Sequence, residues 1–225
     1  MAETNTLTVT LPKTMYHEND KIYKKSKISL KTGITVLVGC NGCGKSTFIH
    51  LLENKCRTAK IPVWKYNNMT HGGSSAMQIF LECSGTGKNF IRNAQSSEGE
   101  NIMNNLGDFI TKLGAFVKKN AGADKIVMLL DAVDSGMSID NISYLFDAFS
   151  DTILPDIEKT ISNIYFIVAA NAYETARCRR CLDVYEGKYI EFKDYEEYRQ
   201  FVLDSGKKKE ERYAAAAKAA KTNKK

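Results

Sequence analysis

The sequence predicts an α/β fold built around a mostly parallel sheet. Three short apolar runs, Ile34–Val38, Ile126–Leu130 and Ile164–Ala170, have the length and composition of strands that are buried on both faces. Segments with helical periodicity separate these runs, most clearly Glu100–Lys119, whose apolar residues recur along a single stripe. Buried strands that alternate with helices are typical of a parallel sheet covered by helices.

Further elements complete this outline. Leu7–Leu11 alternates apolar and polar residues, as a half-buried strand does. Asp140 is a candidate cap for a helix over Asn141–Phe149, and another helix is expected after Pro155. The other predicted elements are strands at Ile28–Leu30 and Ile61–Tyr66, a hairpin over Leu182–Phe192 that turns at Glu186-Gly187-Lys188, and a helix over Tyr195–Leu203.

The net charge of +6 is concentrated in one segment. Residues 207–225 contain eight basic and two acidic side chains, so the rest of the chain is formally neutral. This basic tail has high helix propensity but no apolar face, and we expect it to be a solvated helix or disordered. Any attraction to nucleic acid would act mainly through the tail, and a solubilising extension is the alternative.

Several classes of protein are disfavoured by the sequence. No apolar run approaches the roughly 20 residues of a membrane-spanning helix, and residues 1–5 lack a signal-peptide pattern. We therefore expect a cytoplasmic protein whose six cysteines are thiols. Cys178 and Cys181 form a CxxC pair with no second pair at zinc-finger spacing, so structural thiols are favoured over a metal site.

A glycine-rich segment follows the first buried strand. Gly39–Ser46 fits the pattern GxxxxGK[ST] between a predicted strand and a predicted helix. Glycines let backbone N–H groups approach phosphate oxygens, and a helix N-terminus favours negative charge. We expect Lys45 to reach the β- and γ-phosphates of ATP and Ser46 to help hold Mg²⁺. The predicted nucleotide-binding residues of the loop are Gly39, Asn41, Gly42, Cys43, Gly44, Lys45, Ser46 and Thr47.

These residues resemble a known family. Residues 39–47, GCNGCGKST, resemble the Walker A motif GxNGxGKST of ATP-binding cassette (ABC) ATPases. Ile126–Asp131 is similar to the Walker B strand, and residues 130–138, LDAVDSGMS, resemble the run LDEPTSGLD that follows it. Ile167–Asn171 resembles the strand that ends in the switch histidine, with Asn171 in place of histidine.

The signature motif of the family has a partial counterpart at Ser96–Glu100. Ser97, Gly99 and Glu100 match LSGGQ or LSGGE, whereas Glu98 and Ser96 do not. Ser97 and Glu100 also form a capping box, so a simple helix start is the alternative interpretation. The resemblance to the family extends over about residues 7–203.

The resemblance implies a P-loop NTPase fold in the α/β class. We expect a mostly parallel central sheet, an N-terminal antiparallel β part and a small helical arm at about 67–120. One ATPase domain would occupy residues 1–206 and the basic tail residues 207–225. The resemblance also implies that Asp131 orients Mg²⁺ and that Ser97 and Gly99 contact the nucleotide of a second subunit. Tyr16 is a candidate for stacking on adenine or for packing, and Gln78 is a candidate metal ligand or an ordinary polar residue.

One departure from the family bears on catalysis. Ala132 stands where most cassettes have the glutamate that polarises the attacking water, and losing such a base costs on the order of 10²–10⁴ in rate. Asp134 is the better candidate substitute and Asp140 the other, while Asn171 can hydrogen-bond but cannot switch protonation. We therefore expect slow hydrolysis, with Lys45, Asp131, Asn171 and Asp134 as catalytic candidates, and an ATP-dependent head-to-tail homodimer as the switch.

Three other functions are open to such a chain. It could be the nucleotide-binding subunit of a membrane transporter, although the stretch of about 50 residues between the loop and Ser97 is short for one. It could be a DNA- or RNA-associated ATPase module, although the coiled-coil insertion usual in such proteins is missing. A small-molecule kinase would not explain the segment Ser96–Glu100.

Overall fold

The computed structural model describes residues 6–12, 22–67, 110–135 and 137–222, with side chains described as far as residue 218. Four predicted site residues lie outside these ranges: Tyr16, Gln78, Ser97 and Gly99. Most of the predicted arm at 67–120 also lies outside them, and only the helix at 110–119 represents it here.

A small antiparallel sheet lies near the start of the chain. Strand β1 (Thr6–Thr10) pairs with β2 (Lys27–Lys31), and Leu7 and Val9 lie opposite Leu30 and Ile28. These four side chains are buried, which explains the alternating pattern of the sequence. The predicted antiparallel β part is therefore present.

The main sheet has six strands within the described residues, in the order β4-β5-β6-β3-β7-β8. All neighbouring pairs are parallel except β7 and β8, which form the predicted hairpin. The α/β class and the mostly parallel sheet are therefore confirmed. The strands are β3 (Gly33–Val38), β4 (Val63–Asn67), β5 (Lys125–Asp131), β6 (Asn163–Ala169), β7 (Cys181–Asp183) and β8 (Lys188–Ile190).

Six α-helices and one π-helical turn lie in the described part of the chain. The π-helical turn, Phe149–Ile153, joins α3 to α4. None of the described helices is long and apolar enough to cross a membrane. The helices are α1 (Lys45–Thr58), α2 (110–119), α3 (Ile139–Ala148), α4 (Leu154–Glu158), α5 (Tyr173–Ala176) and α6 (Tyr195–Thr222).

Two sequence predictions about helices need correction. Asp140 does not cap α3, because that helix begins at Ile139 and Ser138 occupies the N-cap position. Asp140 lies in the first turn, where a hydrogen bond from the Ser138 hydroxyl lowers the pKa of its carboxyl. The predicted helix Tyr195–Leu203 is too short, since α6 continues through Gly206 and makes the described part of the basic tail helical.

The central strands are buried on both faces. Along β5, Val127 and Leu129 pack towards α1, whereas Ile126, Met128 and Leu130 pack in the cluster that includes α3 and the π-helical turn. This two-residue alternation between two apolar layers explains why the sequence is continuously apolar there. The carboxyl ends of these strands meet at one edge of the sheet, where Asp131 of β5 lies opposite Ala169 of β6.

Candidate functional site

The glycine-rich loop joins β3 to α1 at this edge of the sheet. A pocket of about 330 Å³ lies beside the loop. The loop and the start of α1 form one part of its lining, and Asp131, Ala132 and Asn171 from the ends of β5 and β6 form another. Ile22, Arg212 and Tyr213 complete the lining from remote parts of the chain. Ligands of parallel α/β sheets bind at this kind of position, beyond the carboxyl ends of the strands.

Two glycines fix the path of the loop. Gly39 has a φ of +135° and Gly44 a φ of +107°, which residues with a Cβ rarely adopt. A Cβ at Gly39 would lie 2.6 Å from Cys43 Sγ, and one at Gly44 would lie 2.7 Å from Ile22 Cγ2. The backbone of the loop therefore approaches its neighbours more closely than any other residue type would allow.

Lys45 places its ammonium group inside the curve of the loop. Its Nζ donates to the carbonyl oxygens of Gly39 at 2.7 Å and Cys40 at 3.2 Å, and the residue is 8% exposed. An ammonium group has three donors, so these two bonds leave one N–H for a ligand in the pocket. The positive charge is thus held at the place where the sequence predicts phosphate.

Ser46 and Asp131 bring two oxygen groups together at the start of α1. The Ser46 hydroxyl donates to Asp131 Oδ1 at 3.0 Å, and the Asn67 amide donates to Asp131 Oδ2 at 3.2 Å. Mg²⁺ prefers such oxygen ligands, and it is usually held by one or two carboxylates together with phosphates and water. The pair fits that partial set of ligands. In the described part of the chain, no cluster of three metal-binding His, Cys, Asp or Glu side chains occurs. Asn67 ends β4, and no sequence motif marks it as a site residue.

Asp134 has a different environment from Asp131. Its Oδ2 accepts hydrogen bonds from the backbone N–H groups of Asn171 at 2.5 Å and Ala172 at 2.6 Å. The Asn171 carbonyl accepts a further bond from the Tyr198 hydroxyl at 2.7 Å. These contacts hold the loop after β6 and place Asn171 in the pocket lining, whereas Asp134 is absent from the lining that the structure describes. The geometry therefore favours a positioning role for Asp134 over that of a substitute base.

Tyr23 supports the loop from the side of Gly44. Its hydroxyl donates to the Gly44 carbonyl at 2.9 Å, and its ring meets Phe48 edge to face at a centroid distance of 6.4 Å. The residue is 4% exposed. Nothing in its sequence neighbourhood indicated this role, because a tyrosine upstream of such a loop is equally typical of the hydrophobic core.

Helix α6 also contacts the loop and its surroundings. The Ser205 hydroxyl accepts a hydrogen bond from the Cys40 N–H at 3.1 Å, and Lys209 Nζ donates to the Asn41 carbonyl at 2.9 Å. Arg212 Nη1 donates to the Ile22 carbonyl at 3.1 Å. The segment that the sequence presents as a basic tail therefore takes part in building the candidate site.

A second, smaller cavity of about 140 Å³ lies between the loop and α6. Cys43, Asp183, Ser205 and Lys208 contribute to its walls. Burial raises the pKa of the Cys43 thiol, which therefore stays neutral at physiological pH. Burial also raises the pKa of the Asp183 carboxyl, although Asp183 Oδ1 accepts hydrogen bonds from the N–H groups of Tyr185 and Glu186.

The CxxC pair of Cys178 and Cys181 does not form a metal site with other described residues. Cys178 is exposed, whereas Cys181 is buried in β7. The Cys181 thiol donates to the Arg179 carbonyl at 3.4 Å, and burial raises its pKa to about 12. Both cysteines are free thiols, as expected from the sequence.

No protein-family model and no curated protein matches this sequence. The resemblance to ABC ATPases therefore rests on the sequence motifs alone.

Proposed function

We propose that this chain binds ATP with Mg²⁺ at the Gly39–Ser46 loop and hydrolyses it slowly as a soluble ATPase of the ABC type. The observation that carries the proposal is the convergence of Lys45, Ser46 and Asp131 around the loop, at the carboxyl edge of a parallel sheet. A cation and a pair of oxygen ligands at a helix N-terminus are what a metal-bound phosphate chain requires.

Each group would have a distinct task. The backbone N–H groups of the loop and the Lys45 ammonium would bind phosphate oxygens, since both are preorganised donors. Ser46 and Asp131 would hold Mg²⁺, which supplies charge neutralisation of the phosphates when it is bound. The buried position of Lys45 and Asp131, at 8% and 7% exposure, strengthens these interactions because little water competes.

Slow hydrolysis follows from the residues near the reacting phosphate. Ala132 has no side chain that can accept a proton from water. Asp134 is held by backbone N–H groups of residues 171 and 172. Asn171 lines the pocket and can orient a water through its amide, but it cannot take up a proton at neutral pH. The site therefore favours binding of the nucleotide over its turnover.

Dimerisation is the second part of the proposal. The resemblance of Ser96–Glu100 to the ABC signature supports a head-to-tail homodimer in which that segment meets the nucleotide of the other subunit. Binding energy that differs between monomer and dimer would then make ATP a switch between the two.

The first test measures ATP affinity with Mg²⁺ by calorimetry. We expect Lys45→Ala to weaken binding by about 10- to 100-fold, because a charge-assisted hydrogen bond contributes about 1.5–3 kcal/mol. Lys55→Ala is the matched control, since Lys55 lies on the same helix and is exposed. Equal affinities for the two variants would overturn the proposal.

Turnover and mass are measured on the same samples. We expect the wild type to hydrolyse ATP faster than Lys45→Ala but more slowly than Ala132→Glu, which restores a group that can polarise water. We expect the mass by light scattering to double with ATP and not with ADP. A wild type as fast as Ala132→Glu would contradict the inferred weakness of the site.

A further inference from the structure

Helix α6 places an aromatic ring and a guanidinium group in the lining of the nucleotide pocket. Tyr213 and Arg212 both contribute to this lining, together with Ile22. They belong to the basic tail, and no motif of the sequence assigns them a role. Their position calls for an explanation, because neither residue belongs to the glycine-rich loop pattern.

Arg212 is fixed between neighbouring groups. Its guanidinium carbon lies 5.4 Å from the ring centroid of Tyr185 and 5.3 Å from that of Tyr213, which are distances of cation–π contact. Its Nη1 also donates to the Ile22 carbonyl. Arg212 therefore links Tyr213 to the segment that precedes the glycine-rich loop.

Tyr213 keeps a large part of its surface accessible. It is 48% exposed, even though it lines the pocket and contacts Arg212. An exposed tyrosine ring offers a flat apolar face at a low cost in conformational entropy, because it has only two side-chain torsions to fix. Such a ring is suited to a flat aromatic ligand.

The pocket has two chemically different parts. Lys45, Ser46 and Asp131 supply charge and oxygen ligands, whereas Ile22 and Tyr213 supply apolar and aromatic surface. A nucleotide has the same division, since a charged phosphate chain is joined through a sugar to a flat base. The two parts of the lining therefore match the two ends of one ligand.

We propose that Tyr213 stacks on the base of the nucleotide whose phosphates bind the Gly39–Ser46 loop, and that Arg212 is the residue that positions Tyr213. This inference rests on the proposed function, since it takes the phosphates as bound at the loop. Stacking on a tyrosine ring is open to every base, because every base has a π-face. The base is thus bound by a helix from the far end of the sequence.

The test compares two ligands with Mg²⁺, ATP and inorganic tripolyphosphate, which has the phosphates without the base. We expect Tyr213→Ala to weaken ATP binding by about tenfold and to leave tripolyphosphate binding unchanged, because stacking on one aromatic side chain has an effect of this size. Tyr213→Phe keeps the ring and should keep the wild-type affinity for ATP. Tyr144→Ala is the control, since Tyr144 is 69% exposed on α3.

Arg212→Ala should also weaken the binding of ATP but not that of tripolyphosphate, because the ring of Tyr213 would be misplaced. If Tyr213→Ala weakened the binding of ATP and of tripolyphosphate to the same extent, the helix would have a structural role and the inference would be overturned. An unchanged affinity for ATP would also overturn it. In either case the proposed function would stand if Lys45→Ala weakened the binding of both ligands. If Lys45→Ala left the affinity for both ligands unchanged, the proposed function and this inference would both be overturned.

Discussion

The glycine-rich loop Gly39–Ser46 has local contacts, made by residues near it in the sequence, and remote contacts, made by helix α6. The local contacts include Lys45, which is buried inside the loop, and Tyr23, which is buried against Gly44. The remote contacts join Cys40 to Ser205 and Asn41 to Lys209, residues separated by 165 and 168 positions. The local contacts depend on close packing, whereas the remote ones are single hydrogen bonds at part-buried or exposed positions. Mutations should therefore have larger effects among the local contacts.

The largest effect on stability is expected for Gly44→Ala. The new Cβ would need a φ of +107° and would lie 2.7 Å from Ile22 Cγ2 and 3.2 Å from Tyr23 Cε1. We expect the free energy of unfolding, measured in urea, to fall by about 2–4 kcal/mol from the combined backbone and packing strain.

Gly114→Ala is the matched control for this change. Gly114 lies in α2, and a Cβ there would meet nothing within 4 Å. Alanine in a helix should stabilise the protein by up to about 1 kcal/mol. Similar stabilities for the two variants would mean that the loop is not packed as described.

A smaller effect is expected for Ser205→Ala at the remote contacts. The change removes the acceptor of the Cys40 N–H group, which should cost about 1 kcal/mol of stability and speed hydrogen exchange at that amide. Ser162→Ala, at an exposed position between α4 and β6, is the control and should change stability by less than about 0.5 kcal/mol. An unchanged exchange rate at Cys40 would show that α6 does not hold the loop.

The smallest effect is a change in pH dependence at Asp183. Burial raises the pKa of its carboxyl in the folded protein above the ordinary value of 3.8, so the folded state binds the proton more tightly than the unfolded state. The contribution of Asp183 to stability is therefore full below pH 3.8 and is lost as the pH rises through the folded pKa.

Asp183→Asn should remove this loss while keeping an oxygen for the N–H groups of Tyr185 and Glu186. We therefore expect the unfolding free energy of Asp183→Asn, measured relative to the wild type, to rise as the pH increases from 3.5 to 7. Asp151→Asn, at an exposed position, is the control. A profile that stays identical to the wild type would contradict the burial of the Asp183 carboxyl.

The fold class and the path of the loop could be predicted from the sequence because each depends on a short stretch of chain. The contact of Tyr23 with Gly44 could not, because no motif marks that tyrosine. The apolar runs of β5 and β6 follow from burial on two faces, and the loop pattern follows from positive φ angles and the helix start. The order of the strands could not be predicted, since no local pattern states which strands become neighbours.

The remote contacts were missed for a different physical reason. Lys209 and Arg212 act through hydrogen bonds to backbone carbonyl groups, which every residue has, so no partner in the sequence identifies them. The pattern of a lysine-rich helix without an apolar face therefore predicts a solvated tail. Asp134 is a similar case, because its partners are the backbone N–H groups of Asn171 and Ala172.

The unbroken course of α6 has a practical consequence for protein engineering. At 1.5 Å per residue, its 28 residues form a rod about 42 Å long. Deletion of residues 207–225 is the obvious way to ask whether the positive charge attracts nucleic acid. That deletion would also remove Lys209 and Arg212 from their partners Asn41 and Ile22. A shortened protein that ends after Tyr213 separates the two questions, because it loses distal lysines and keeps the lining of the pocket.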